Sequence, residues 1–450
     1  MQPALVVLGS GFHTPARDRL EVLADCAFIV DGTGRIADVI RPEDPRQQAL
    51  AAWAEAQGVL HRLPADAWLI PGLVDLHVHA PQWPQLGKAL DAPLEVWLQK
   101  YTFPLEARFA DPDFAAEVYD DLVRSLLAQG TTTAMYFGSV HKRPNLILAE
   151  ACLRHGQRAL VGKVAMDDPA TCPAFYRDAD AATAIAETRA FIAELRAMQG
   201  EDPLVLPVIT PRFIPSCTDD LLEGLGQLAR ETGCHVQTHA SESDWAAGYV
   251  RDRLGCSDCT ALDRFGLLTD RTVLAHANFI DGNDMALMAQ RGAAVAHCPM
   301  SNAYFANAIF PVRRALEAGV EVGLGTDISG GFSPSILDGL RHALMTSRHL
   351  GRGADPTLPP EARGTGEAPL TAVEAFWLAT AGGADALSLP VGRLAEGQCF
   401  DALVIRANLP GSGLRHFPGA DRPEELFEKI VLTADRAAIG DIWVQGRKVR

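Results

Sequence analysis

Two histidines one residue apart, His77 and His79, close the apolar run "LVDLHVHA" at Leu73 to Ala80. Residues two apart in a strand share a face, so both imidazoles point the same way and can grip one cation. The plain alternative is a pair of hydrogen-bonded polar side chains. Three distant residues favour the metal: His239 in "HVQTHAS", His276 in "TVLAHA" and Asp327 closing "EVGLGTD". Each sits at the end of a strand-like run, and in one closed barrel such ends face a single small volume. The expected ligands are His77, His79, His239 and Asp327. Neutral imidazoles with one carboxylate suit Zn2+, with Fe2+ as competitor. An open coordination position would hold water and lower its pKa to about 7. Hydroxide attack on an unsaturated carbon also needs a proton carrier. Glu242 stands three residues after His239 in "HASE", near the ion but displaced from it, as a shuttle rather than a ligand. The competing reading is an exposed carboxylate at a helix start.

Other titratable residues carry less. Asp75 either orients one imidazole or caps its strand. His297, in "AHCP", could line the same cavity, but a role in packing or in supporting a ligand is expected. His13, His61, His141, His155, His235, His342, His349 and His416 lack comparable placement. The lone "CSDC" at Cys256 to Cys259 has no second pair and reads as a loop with two thiols.

About eight short β-type runs lie between Leu73 and Asp327: "LVDLHVH", "TTTAMYFG", "LVGKVAM", "LVLPVIT", "HVQTHAS", "TVLAHA", "AAVAHC" and "EVGLGTD". Most are apolar throughout, as strands covered on both faces are. Between them lie helical patterns such as "DFAAEVYDDLVRSLLAQG" and "AATAIAETRAFIAELRAMQG". This rhythm predicts an α/β fold, a TIM-type (β/α)8 barrel with its chemistry at the C-terminal strand ends. "CAFIVDGTGRIADVI" near the start, and "DALVI" and "DIWVQGRKV" near the end, read as hairpin strands. Both termini are therefore expected to build one small β-sandwich domain. The expected division is residues 1–70 and 391–450 for that domain and 71–390 for the barrel. The stretch from Gly351 to Pro369 reads as a loop before a final helix at about Thr371 to Thr380.

At 450 residues, 48% hydrophobic and 21% charged, the chain can bury a large core. A formal net charge of -16 argues against nucleic acid polymers, whose neutralisation needs a basic surface. The N-terminus shows neither a basic leader nor a membrane span, and nine scattered cysteines fit reduced thiols. A cytoplasmic protein is expected.

These stretches resemble the amidohydrolase superfamily, whose pattern includes "PGLVDLHVH" at Pro71 to His79, "HASE", "LAHA" and "GLGTD". Within it the chain is most similar to the guanine deaminase family. The discriminating stretches are "HAPQ" at His79 to Gln82, "PLEVWLQKYTFPLEARF" at Pro93 to Phe109, "GTTTAMYF" at Gly130 to Phe137, "VITPRF" at Val208 to Phe213, "AHCPMSN" at Ala296 to Asn302, and "GLGTDISGG" at Gly323 to Gly331. The resemblance implies hydrolysis of guanine to xanthine and ammonia by a homodimer with one zinc ion per subunit. It implies that Gln82 and Arg212 hydrogen-bond the purine, with Arg212 directed at its carbonyl oxygen. Phe213 would line the pocket, and His79, His239, Glu242, His276 and Asp327 would border the substrate. Catalysis would fall to Glu242, which protonates a ring nitrogen, to Asp327, which takes the proton of water, and to His276, which stabilises developing charge. No lysine ends "VITPRF", where binuclear relatives bridge two metals, so a single ion is implied, and Lys163 is read as structural or as supporting a ligand. Pro81 departs from the commoner small polar residue.

Two other readings share these residues. A sister mononuclear hydrolase acting on a pterin, 8-oxoguanine, a triazine or cytosine would have the same metal site and differ at Gln82, Arg212 and the segment from Trp97 to Pro104. A silent barrel scaffold would need no intact ligand set.

Overall fold

The computed structural model describes residues 2–200 and 203–450. Eight parallel strands follow the expected runs closely: β1 (Leu73–His79), β2 (Thr131–Phe137), β3 (Arg158–Ala165), β4 (Val205–Pro211), β5 (His235–Ala240), β6 (Thr272–His276), β7 (Ala294–His297) and β8 (Glu321–Leu324). Each pairs with its neighbours in chain order. Every residue of β1, β2, β3, β5, β6 and β7 is buried, because helices cover the outer face and side chains fill the interior. The helices Pro112–Ala128 and Ala181–Ala197 fall where the periodicity places them. The first begins at Asp111, whose side chain accepts from the Asp113 N–H, with Pro at the first turn where no N–H is needed.

The barrel closes by a device the strand pattern did not reveal. The chain leaves β8 at Leu324, so Asp327 lies beyond the strand rather than at its end. There Asp327 N–H donates to the His77 carbonyl at 2.8 Å, and His79 N–H donates to the Ile328 carbonyl at 2.7 Å. Asp75 seals the same seam: its carboxylate accepts from Thr326 N–H at 3.0 Å, Thr326 Oγ1 at 2.6 Å and His77 N–H at 3.2 Å. It therefore grips backbone and a hydroxyl and orients no imidazole ring. Burial pushes its carboxyl up to about 7, against the pull of those three donors.

Strands from both termini form one mixed eight-stranded sheet, joined where Ala67–Pro71 pairs antiparallel with Ala402–Arg406. The predicted hairpins are present: Arg19–Val30 pairs with Ile36–Ile40, and Ile439–Val444 with Arg447–Lys448. A buried ion pair ties sheet to barrel, Arg158 Nε reaching Asp401 Oδ2 at 3.1 Å. The helix expected at Thr371 to Thr380 spans Ala372–Ala379 behind a Thr371 capping box. It is not the final one, since Ala381–Ala386 and Pro423–Thr433 follow. The latter buries Leu426, Phe427, Ile430 and Val431, a helical spacing that the β reading of the C-terminus passed over. No described helix is long and apolar enough to cross a membrane.

Candidate metal centre and substrate pocket

At the C-terminal mouth of the barrel, His77 Nε2 lies 3.1 Å and His79 Nε2 3.5 Å from Asp327 Oδ1, and His79 Nε2 lies 2.9 Å from His239 Nε2. Burial, followed by the charges of neighbouring imidazoles and Arg212, pushes His77 and His79 well below the ordinary histidine pKa. Burial and the His77 and His276 imidazoles do the same to His239. All three rings are therefore neutral. His239 Nδ1 lies 2.6 Å from the Arg212 backbone carbonyl, which only accepts, so Nδ1 carries the proton and Nε2 offers its lone pair inward. His77 Nε2 is buried with no hydrogen-bond partner among the described residues. Three neutral imidazoles and a carboxylate converging in this way fit one divalent cation. The groups His77, His79, Asp327 and His77, His239, His276 each bring their donor atoms within 4.8 Å of one another.

His276 Nδ1 is bonded to Asn302 Oδ1 at 2.9 Å, leaving Nε2 3.8 Å from Glu242 Oε1 and 3.9 Å from Asp327 Oδ2. Asp327 thus turns one oxygen to the ligand set and the other to His276. Burial pushes its carboxyl up and the His276 imidazole pulls it down. Burial, then the Asp327 carboxylate, pushes the Glu242 carboxyl up to about 8. Backbone strain gathers at this mouth: Ser241, His276, Ala277 and Asp327 have φ of 47°, 71°, 52° and 50°, the left-handed region that side chains with a Cβ avoid. Gly330 is needed for close approach, since a Cβ there would stand 2.9 Å from Asp327 Oδ2.

The histidine and aspartate cluster opens into a cavity at the barrel mouth. His79, Gln82, Arg212, His239, Glu242 and Asp327 form its polar wall, and Trp97, Leu98, Phe213 and Phe305 supply apolar surface. Of the residues proposed from sequence to border a substrate, His276 alone is not among the lining residues. The Trp97 ring packs 5.0 Å from Phe305. Arg212 is buried, with Nη1 donating to Glu106 Oε2 at 2.7 Å and Nη2 to Glu106 Oε1 at 3.2 Å. Gln82 Nε2 donates to the same Glu106 Oε1 at 2.8 Å, while its Oε1 accepts from Ser329 N–H at 3.3 Å.

The amidohydrolase family model matches residues 68–449. The chain belongs to that family, among its guanine deaminases. It is 37% identical to the guanine deaminase of Mus musculus over 99% of this chain and 96% of the relative. It is 36% identical to the probable guanine deaminase of Schizosaccharomyces pombe over 99% and 83%. Its fold superposes on the crystal structure of guanine deaminase from C. acetobutylicum with bound guanine in the active site, with a TM-score of 0.88, 29% identity and 99% and 100% coverage.

Other features of this amidohydrolase resolve simply. His297 is buried against Phe310 at 5.2 Å, and Lys163 donates to Asp178 Oδ1 at 2.8 Å. "CSDC" starts a helix, with Ser257 as its cap and Asp258 accepting from Ser241 N–H at 3.2 Å and Ser241 Oγ at 3.1 Å. Sequence reading passed over Glu106, because a glutamate in a helical segment looks solvated. The signal was the arginine of "TPRF": a guanidinium placed inside a barrel mouth requires an acidic partner.

Proposed function

We infer that this amidohydrolase deaminates guanine to xanthine and ammonia, and the observation that carries the reading is the cavity joining a three-histidine, one-aspartate cluster to Arg212 and Gln82. The cluster is proposed to hold one zinc ion per subunit through His77, His79, His239 and Asp327, with Fe2+ the competing ion. Such an ion, when bound, supplies the acidity that makes water a nucleophile at neutral pH. Arg212 donates to the purine carbonyl oxygen and Gln82 bonds its edge, setting the carbon that bears the amine against the metal cluster. Phe213 supports the ring from the side. Glu242 is a neutral carboxyl up to about pH 8, so it holds a proton ready for the ring nitrogen beside that carbon. Asp327 accepts the proton of the attacking water, and His276, 3.8 Å from Glu242 and 3.9 Å from Asp327, steadies the charge that develops between them. A guanidinium donor leaves adenine, with an amino group at that edge, facing a buried donor without a partner. The same reading carries a cytoplasmic homodimer.

Ammonia release from guanine, adenine, a pterin, 8-oxoguanine, a triazine and cytosine, run beside metal analysis, tests it. Guanine is expected to exceed adenine in kcat/KM by about tenfold to a hundredfold, since an unpaired buried polar group costs roughly 1–3 kcal/mol, and to be turned over with a higher kcat/KM than each of the others. A pterin or triazine turned over best, or a chain that binds metal and yields no ammonia from any of them, would refute it.

A further inference from the structure

The purine edge of the pocket has a third member that touches no substrate in the scheme above. Glu106 is fully buried, and its two oxygens take bonds from both Arg212 terminal nitrogens and from the Gln82 amide. Arg212 and Gln82 are each only 2% exposed. One carboxylate thus fixes the two side chains proposed to recognise the purine, although Gln82 follows β1 and Arg212 follows β4. The Gln82 amide is pinned from both sides, its nitrogen to Glu106 and its oxygen to Ser329 N–H, so it cannot turn over without breaking two bonds. The guanidinium lies with its Cζ 5.0 Å from the Phe103 ring centre, which leaves Glu106 as its charge partner.

A buried arginine without a counter-charge is an anion site. It would favour ionised ligands such as urate over neutral lactams. With Glu106 in bidentate contact the pair sums to zero, and the pocket presents directed N–H donors with no net charge behind them. We propose that Glu106 is the positioning residue of the purine-recognition edge: it neutralises Arg212 and locks Gln82, so that the pocket selects uncharged lactam purines and rejects anionic ones. This rests on the guanine reading and adds to it the charge state of the ligand. It also bears on turnover, because xanthine is a stronger N–H acid than guanine, and a charge-neutral edge does not retain the product anion.

The test compares metal-loaded wild type, Glu106→Gln and Glu106→Asp at one fixed pH near 7, using guanine kinetics and inhibition by hypoxanthine, a neutral lactam, and by urate, an anion. In Glu106→Gln, KM for guanine is expected to rise about tenfold or more with a smaller change in kcat. The ratio of the urate to the hypoxanthine inhibition constant is expected to fall about tenfold or more, the scale of one unshielded charge contact. Glu106→Asp keeps the charge and is expected to restore the ratio while leaving KM raised. An unchanged ratio in Glu106→Gln, or a loss confined to kcat, overturns the proposal. Should Glu106→Gln fail to fold, Glu106→Asp and the wild type decide: hypoxanthine bound at least about tenfold more tightly than urate in both supports it, and any smaller preference or the reverse order overturns it. A chain that did not deaminate guanine would sink the reaction assigned above, while the same two ligands measured by equilibrium dialysis would still decide the role of Glu106.

Discussion

A carboxyl pushed up to about 8 by burial and by the Asp327 charge is protonated in most molecules at neutral pH, which an acid catalyst needs and an exposed helix-start glutamate would not achieve. Glu242 belongs to no metal-binding group among the described residues, so removing it leaves the ligand set whole. Glu242→Ala is expected to bind metal at the wild-type stoichiometry and lose about 10²- to 10⁴-fold in kcat, the usual scale of general acid–base catalysis. Loss of guanine absorbance, followed beside metal analysis, checks this, and full activity in the variant would refute the shuttle assignment. The residue scale also shows why a cluster can be sharper than its parts: His239 alone is an ordinary buried histidine, and its bond to the Arg212 carbonyl turns it into a directed donor.

The elements matter through their ends. β1, β5, β6 and β7 each carry a histidine in their last three residues, which places these rings near the C-terminal end of the barrel. The histidine of β7, His297, shows the cost of this placement. Burial, with a smaller contribution from His276, holds its pKa at about 3, against 6.5 for the free side chain. The folded protein refuses a proton that the unfolded chain takes up. The stability tied to a neutral His297 is therefore present above pH 6.5 and lost as pH falls toward 3, to a total of roughly 5 kcal/mol. Metal-free His297→Gln is expected to show a shallower fall of melting temperature between pH 6.5 and 4 than metal-free wild type. Parallel pH profiles for the two would show that another group governs the acid transition.

At the scale of the whole molecule, the barrel and the terminal sheet are bound by charge as well as by apolar contact. Arg158 opens β3 at the end of the barrel away from the metal cluster, and Asp401 precedes a strand of the sheet. Asp401 also accepts from the Gln445 N–H at 2.7 Å. Arg158→Leu leaves that carboxylate buried without its cation, at a cost of about 3–5 kcal/mol. The melting temperature is expected to fall by several degrees while kcat/KM at 25 °C stays within about twofold. A variant as stable as wild type would show that the pair contributes nothing net to the junction, and a large loss of activity would show that the sheet reaches the site.

Period and composition determined much of this by themselves. Buried parallel strands must be apolar on both faces, so their runs stand out in the chain, and side chains two apart in β1 must share a face whatever surrounds them. His77 and His79 were legible for that reason, and His239, His276 and Asp327 because a polar residue closing an apolar run stands near the C-terminal mouth, although His297, placed in the same way, packs against Phe310 instead. Tertiary structure alone decided the rest. Barrel closure through Asp327 and Asp75 depends on where the chain turns after β8, which no local period encodes. Glu106 became visible only when a helical segment following β1 was laid against the end of β4, more than 100 positions along the chain. A buried charge is recognised by its partner, and the partner of a residue distant in sequence is a property of the folded chain.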